Sequence, residues 1–166
     1  MDSGFGPRYT ESMLIDAPEH IFEASQWIPR SVEEVFEFFA SESNLEKISP
    51  PWLQFHVLKK STPKMQVGTL IDYKLKINGV PIKWRTAIEV WEPGRKFVDS
   101  QRNGPYKRWH HTHTFFAENG GTRMNDTVLY QLPLGRLGDL AAGWKVRRQV
   151  RGIFAYRREI IEKLFA

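Results

Sequence analysis

Polar and apolar residues alternate along much of the chain from Trp52 to Pro133, and helical spacing takes over only on either side of that region. TLIDYKLKI is the clearest case, with Ile71, Tyr73, Leu75 and Ile77 on one face and Asp72, Lys74 and Lys76 on the other. Asn78-Gly79 follows, a dipeptide suited to a two-residue turn with positive φ at both positions. Pairing Ile77 with Val80 then sets Leu75 against Ile82, Tyr73 against Trp84 and Ile71 against Thr86. The same strand carries Ile88 on its inward side.

A second turn signal, Asn119-Gly120, lies inside residues 97–133. If Glu118 pairs with Gly121, then Trp109 faces Tyr130, His111 faces Val128, His113 faces Asp126 and Phe115 faces Met124, all on one side of the sheet. The other side holds Arg108, His110, Thr112, Thr114, Arg123, Asn125 and Thr127, as a solvated surface should. With Gly120-Gly121 as the turn, Asp126 would instead face Phe115 and still point inward. Between the hairpins, a Glu92-Pro93-Gly94-Arg95 loop places Phe97, Asp99 and Gln101 inward.

Ahead of these strands, HIFEASQWI reads as a first strand closed by Pro29. Ser31 and Glu34 form a capping box for VEEVFEFFA, and Ser43 or Asn44 caps a second short helix, NLEKI, stopped by Pro50-Pro51. LQFHVLKK is the next strand. After Pro133 a Gly-containing connection, LGRLGD, leads to a long helix with an apolar stripe of Val146, Val150, Ile153, Phe154, Ile160, Ile161 and Leu164, the arginines mostly opposite. Gly152 inside that helix marks a bend or a close approach. The order predicts an α+β fold, a curved antiparallel sheet of about seven strands wrapped around a long C-terminal helix, with two short helices between strands 1 and 2. Residues 1–19 are expected to be a poorly ordered lead-in, and 20–166 one domain.

Composition supports this picture. The 166 residues suffice for one core. The six Trp and eleven Phe provide flat side chains for a core or a pocket wall. With no Cys, disulfide frameworks, thiolate zinc sites and thiol nucleophiles are excluded. The longest apolar run near the start, Met13 to Ile15, is too short for a signal peptide, so a cytoplasmic location without membrane insertion is expected. The net charge of +5 arises in residues 136–166, read as a solvated helix face because no nucleic-acid motif accompanies it.

A carboxylate such as Asp126 on an apolar face must be compensated, and a histidine across the ladder is its nearest means. The pair is open to a structural, a ligand-orienting or a metal-binding role. In the ligand-orienting reading Tyr73, Trp84, Thr86, Ile88, Trp109 and Phe115 wall a hollow beside Val128. Its polar groups would be His111, His113, Asp126 and Tyr130, with Asp99 and Gln101 nearby.

NLEKISPPWL, GTLIDYKL, WRTAIEVWEP, FVDSQ, GPYKRWHHTHTF and GGTRMNDTVLYQLP resemble the START/SRPBCC (Bet v 1-like, polyketide cyclase-like) superfamily, over residues 21–165. The similarity is to a bacterial branch found alone or beside a nucleotide-sugar-epimerase-like domain. It implies the helix-grip fold, with an internal hydrophobic cavity and binding of a small molecule or lipid, in a monomer or homodimer, with an epimerase-like domain or protein as a possible partner. Two enzymatic alternatives stand beside binding. One is a cyclase or dehydratase without metal, using His111, His113, Asp126 and Tyr130 as candidate catalytic groups. The other is a cupin-like metal enzyme built on His111, His113 and Glu118, against which the chain has no PxGxxH counterpart after Pro133. The reading expects binding rather than catalysis, with no metal and no cofactor.

Overall fold

Both turn dipeptides adopt the left-handed backbone that their residues suit, with φ of 51° and 82° at Asn78 and Gly79 and of 50° and 75° at Asn119 and Gly120. Ile77 therefore pairs with Val80 and Glu118 with Gly121, and every cross-strand pair expected from these turns forms. The computed structural model describes residues 18–166, so the expectation of a disordered lead-in falls almost wholly outside the described residues.

The chain runs through β1 (His20–Ile28), α1 (Val32–Ala40), α2 (Glu42–Lys47), a 3₁₀ turn at Pro51–Leu53, β2 (His56–Lys60), β3 (Leu70–Ile77), β4 (Val80–Glu92), β5 (Lys96–Asn103), β6 (Arg108–Glu118), β7 (Gly121–Gln131) and α3 (Gly135–Phe165). The seven strands form one sheet in the order β1-β7-β6-β5-β4-β3-β2, with every neighbouring pair antiparallel. With α3 laid against the apolar face, this is the helix-grip architecture.

Three apolar groupings fix the interior. Val35, Phe36 and Phe39 of α1 pack with Phe97, Phe115, Met124, Ile161 and Phe165, so the first helix and the end of α3 seal one end of the sheet. Val128 and Tyr130 lie beneath Val150 and Phe154, which docks α3 on β7. Leu53, Ile71, Tyr73, Leu75 and Ile88 line the β3–β4 half. Since α3 sits toward β1 and β7, the β3–β4 half stands away from the helix and a hollow remains between them.

Several boundaries differ from the sequence reading. α2 begins two residues earlier than expected, with Ser41 as its N-cap residue. Ser43 spends its hydroxyl on Ser41 and Asn44 donates to the Phe38 carbonyl, so neither caps. β2 starts only at His56, because the 3₁₀ turn and a left-handed Gln54 occupy the preceding residues. α3 absorbs the glycine-containing connection. Gly138 lies so close to the Pro133 carbonyl that a Cβ would collide with it, so this glycine serves a close approach rather than a break. At the far end Leu164 is exposed and Phe165 takes the buried place.

Gly152 has open space around the position of a Cβ and lies within continuous helix, which disposes of the close approach. Gly152→Ala should therefore raise stability by about 1 kcal/mol, the difference in helix propensity. A higher midpoint in urea at unchanged slope checks it; a lower midpoint would mean that the helix needs a flexible joint there.

Candidate functional site

The hollow has a volume of about 160 Å³. Tyr73 and Leu75 of β3, Trp84, Thr86 and Ile88 of β4, and Trp109 of β6 form its sheet wall, and Val150, Ile153 and Phe154 of α3 form the opposite one. Leu45, Leu53 and Phe55 line it from the α2–β2 segment. Trp84 and Trp109 meet edge to face at 5.5 Å, and Trp84 donates its indole N–H to the Thr86 hydroxyl at 3.1 Å. That bond holds a polar edge within a largely apolar wall.

One region of this wall is charged. Asp99, His111, His113 and Arg157 all line the cavity, and Asp126 stands behind the histidines. His111 Nε2 donates to Asp126 Oδ1 at 2.9 Å, and His113 Nε2 donates to Asp99 Oδ2 at 3.2 Å. His113 Nδ1 lies 2.8 Å from Asp126 Oδ1 but out of line, so that buried nitrogen has no proper hydrogen bond. His111 Nδ1 stands 3.7 Å from Asp99 Oδ2. The two imidazoles lie with ring centroids 3.8 Å apart and planes tilted by 40°, and Phe97 stacks on His113 at 4.1 Å.

Eight of the thirteen expected residues line the cavity: Tyr73, Trp84, Thr86, Ile88, Asp99, Trp109, His111 and His113. The other five lie elsewhere. Gln101 clasps the β5–β6 loop, donating to the Tyr106 carbonyl and accepting from its N–H. Phe115 is buried among Phe36, Phe39 and Phe97, and Val128 beneath α3. Tyr130 packs against His20, Tyr106 and Trp109. Asp126 touches only a small second recess between β1 and α3. Glu118, the carboxylate of the cupin-like alternative, is engaged with Arg123 at 2.6 Å in the β6–β7 turn. Asp99 and Asp126 are the carboxylates that meet the histidines.

The residue missed in the sequence is Arg157. It lines both recesses, places its guanidinium carbon 4.9 Å from the Phe154 ring centre, and leaves Nε without a hydrogen-bond partner. Its position was readable, for it stands three residues from Phe154 and four from Ile153 and Ile161, inside the apolar stripe rather than opposite it.

Burial disfavours charge on all these groups, and their mutual contacts decide which keep it. Burial alone would raise Asp126, but the bonds from His111 and His113 outweigh it and hold the carboxyl far below its usual range. Asp99 is lowered in the same way, against burial, by His113 and then His111. Burial would lower His113, yet contacts with Asp126 and Asp99 raise it above its usual value. His111 is lowered, first by burial and then by the charge of His113. The cluster thus holds two carboxylates, one imidazole that favours its proton and one that resists it.

The signs of these shifts fix a pH profile for the metal-free protein. His113, raised, adds stability that is complete below about pH 6.5 and is lost as pH rises through its folded value. Asp99 and Asp126, lowered, add stability present above about pH 4 and lost as pH falls through their folded values. Urea unfolding across pH should show an alkaline decline that His113→Gln removes and an acid decline that Asp126→Asn reduces. Unchanged profiles in both variants would contradict the assignment.

Among the described residues no helix is long and apolar enough to cross a membrane. No curated protein matches the chain at a significant level. Solved structures with the same architecture do. The protein TTHA0849 from Thermus thermophilus is 21% identical, with 90% of this chain and 100% of that one covered and a TM-score of 0.62. The Zhui aromatase/cyclase from Streptomyces sp. R1128 is 14% identical, with 90% and 98% covered and a TM-score of 0.64. The major latex-like protein 151 from Panax ginseng is 11% identical, with 89% and 98% covered and a TM-score of 0.63. At these identities the likeness is one of fold. The model of the family described as "Polyketide cyclase / dehydrase and lipid transport" matches residues 28–154. The chain therefore belongs to that family, within the SRPBCC superfamily.

Proposed function

We propose that the protein binds a compact hydrophobic or aromatic molecule whose polar head group accepts hydrogen bonds from Arg157. The observation that carries this reading is a hollow of about 160 Å³ with apolar walls and one charged region. A cavity of about 150 Å³ lined by apolar groups accepts benzene, so one or two fused rings, or a short acyl chain, suit the space. Arg157 offers a buried Nε–H with no acceptor, which a carboxylate or carbonyl on the guest would supply. Such a guest is drawn in by apolar burial and oriented by one charge-assisted contact.

A second reading, cyclisation or dehydration of a carbonyl compound, is favoured by one observation. His111 and His113 are adjacent but shifted in opposite directions, which leaves one suited to accept a proton and the other to donate one. Both face the cavity. The binding reading takes precedence because it needs only the hollow and Arg157.

Naphthoate and naphthalene separate the contributions in EDTA-treated protein. Naphthoate should bind more tightly, by about tenfold for one charged contact of about 1.4 kcal/mol, and Arg157→Met should erase the difference. Ile153→Trp, which fills the space, should abolish binding of both. Equal affinities in the unmodified protein, or binding indifferent to Ile153→Trp, would overturn the reading.

A further inference from the structure

The charged region contains an arrangement that a binding pocket for an organic guest does not need. One carboxylate oxygen of Asp99, one nitrogen of His111 and one nitrogen of His113 lie within 4.8 Å of one another. Two of the distances are 3.2 Å, from His113 Nε2 to Asp99 Oδ2, and 3.7 Å, from His111 Nδ1 to the same oxygen. A tetrahedral ion bound at about 2.0–2.1 Å by nitrogen and oxygen ligands has edges of about 3.3 Å. All three residues also line the cavity, so the remaining coordination position would face the hollow.

The opposite nitrogens are placed as a metal site requires. His111 Nε2 and His113 Nδ1 both approach Asp126 Oδ1, at 2.9 and 2.8 Å. With a proton on each of those atoms, Asp126 holds the His111 ring by its hydrogen bond and lies beside His113 Nδ1, and the bare nitrogens turn toward Asp99. A carboxylate behind metal-bound imidazoles is the usual device for fixing tautomer and ring direction. Once His113 gives up its second proton to bind, Asp99 and Asp126 face Arg157 with one negative charge in excess, which the added cation meets.

We propose that Asp99, His111 and His113 form a binding site for a divalent transition-metal ion, with Asp126 as the residue that positions the His111 imidazole. Two imidazoles and one carboxylate suit zinc and its neighbours rather than magnesium or calcium. The open position takes water or an oxygen of the guest, and a metal there would polarise a carbonyl or acidify water. This site is independent of the proposal for the organic guest, which rests on Arg157 and the apolar walls.

The test uses the full chain without a polyhistidine tag, stripped with EDTA, loaded with zinc alone and desalted. Elemental analysis should find about one zinc per chain, the stoichiometry of a three-ligand site with one open position. Asp99→Asn and His111→Gln should lose that equivalent, whereas His110→Gln, on the outer face of the same strand, should keep it. Cobalt in place of zinc should give the intense visible absorption of tetrahedral coordination. Retention of zinc by Asp99→Asn and His111→Gln, or no stoichiometric uptake by the unmodified protein, overturns the proposal. Should a variant fail to fold, as judged by circular dichroism, the cobalt spectrum of the unmodified chain decides, and an octahedral or absent signal counts against the site.

Discussion

Two carboxylates on the inward side of a sheet constrain this molecule more than any other feature. Asp99 and Asp126 can stay ionised away from water only if charge and hydrogen bonds reach them, since an unpaired buried carboxylate is strongly disfavoured. The register of β6 and β7 brings His113 opposite Asp126, and that of β5 and β6 brings His111 opposite Asp99. Each histidine also reaches the other carboxylate, so four side chains close into one cluster. Arg157 arrives from α3, outside the sheet. Charge compensation in the interior thus depends on strand register and helix placement together.

The same placement leaves the hollow. α3 is held over β7 by Val150 and Phe154 on Val128 and Tyr130, and at its end by Ile161 and Phe165 against α1. The β3–β4 half has large side chains, Tyr73 and Trp84 among them, and meets α3 through Ile153 and α2 through Leu45. Space beside aromatic walls and next to a charged cluster is a natural place for a guest with one apolar and one polar end.

How much of this is legible in the sequence depends on how local the deciding interactions are. The two hairpins are legible to the residue because Asn-Gly turns set register and alternation confirms it. The seal of α1 is legible from its capping box, whose Ser31 hydroxyl accepts from Glu34 N–H at 3.2 Å. The β5–β6 pairing is not, since the loop between them carries no single turn signal; Asp99 reads as inward without its partners being assigned. Tyr130 and Val128 read as cavity walls because a strand pattern reports the inward face without saying what covers it. Arg157 escapes notice because a basic helix reads as solvated, although its spacing puts it in the apolar stripe. The glycines at 135 and 138 read as a break, where the fold uses Gly138 for a close approach to the Pro133 carbonyl.

Imidazole nitrogen NMR on the metal-free protein bears most directly on the central claim, that two adjacent histidines with opposed shifts keep the buried carboxylates ionised. His113 should hold its second proton to a higher pH than an ordinary histidine and His111 should lose its own at a lower one, with Nε2 of neutral His111 protonated toward Asp126. Two histidines titrating together at the ordinary solution value would contradict it.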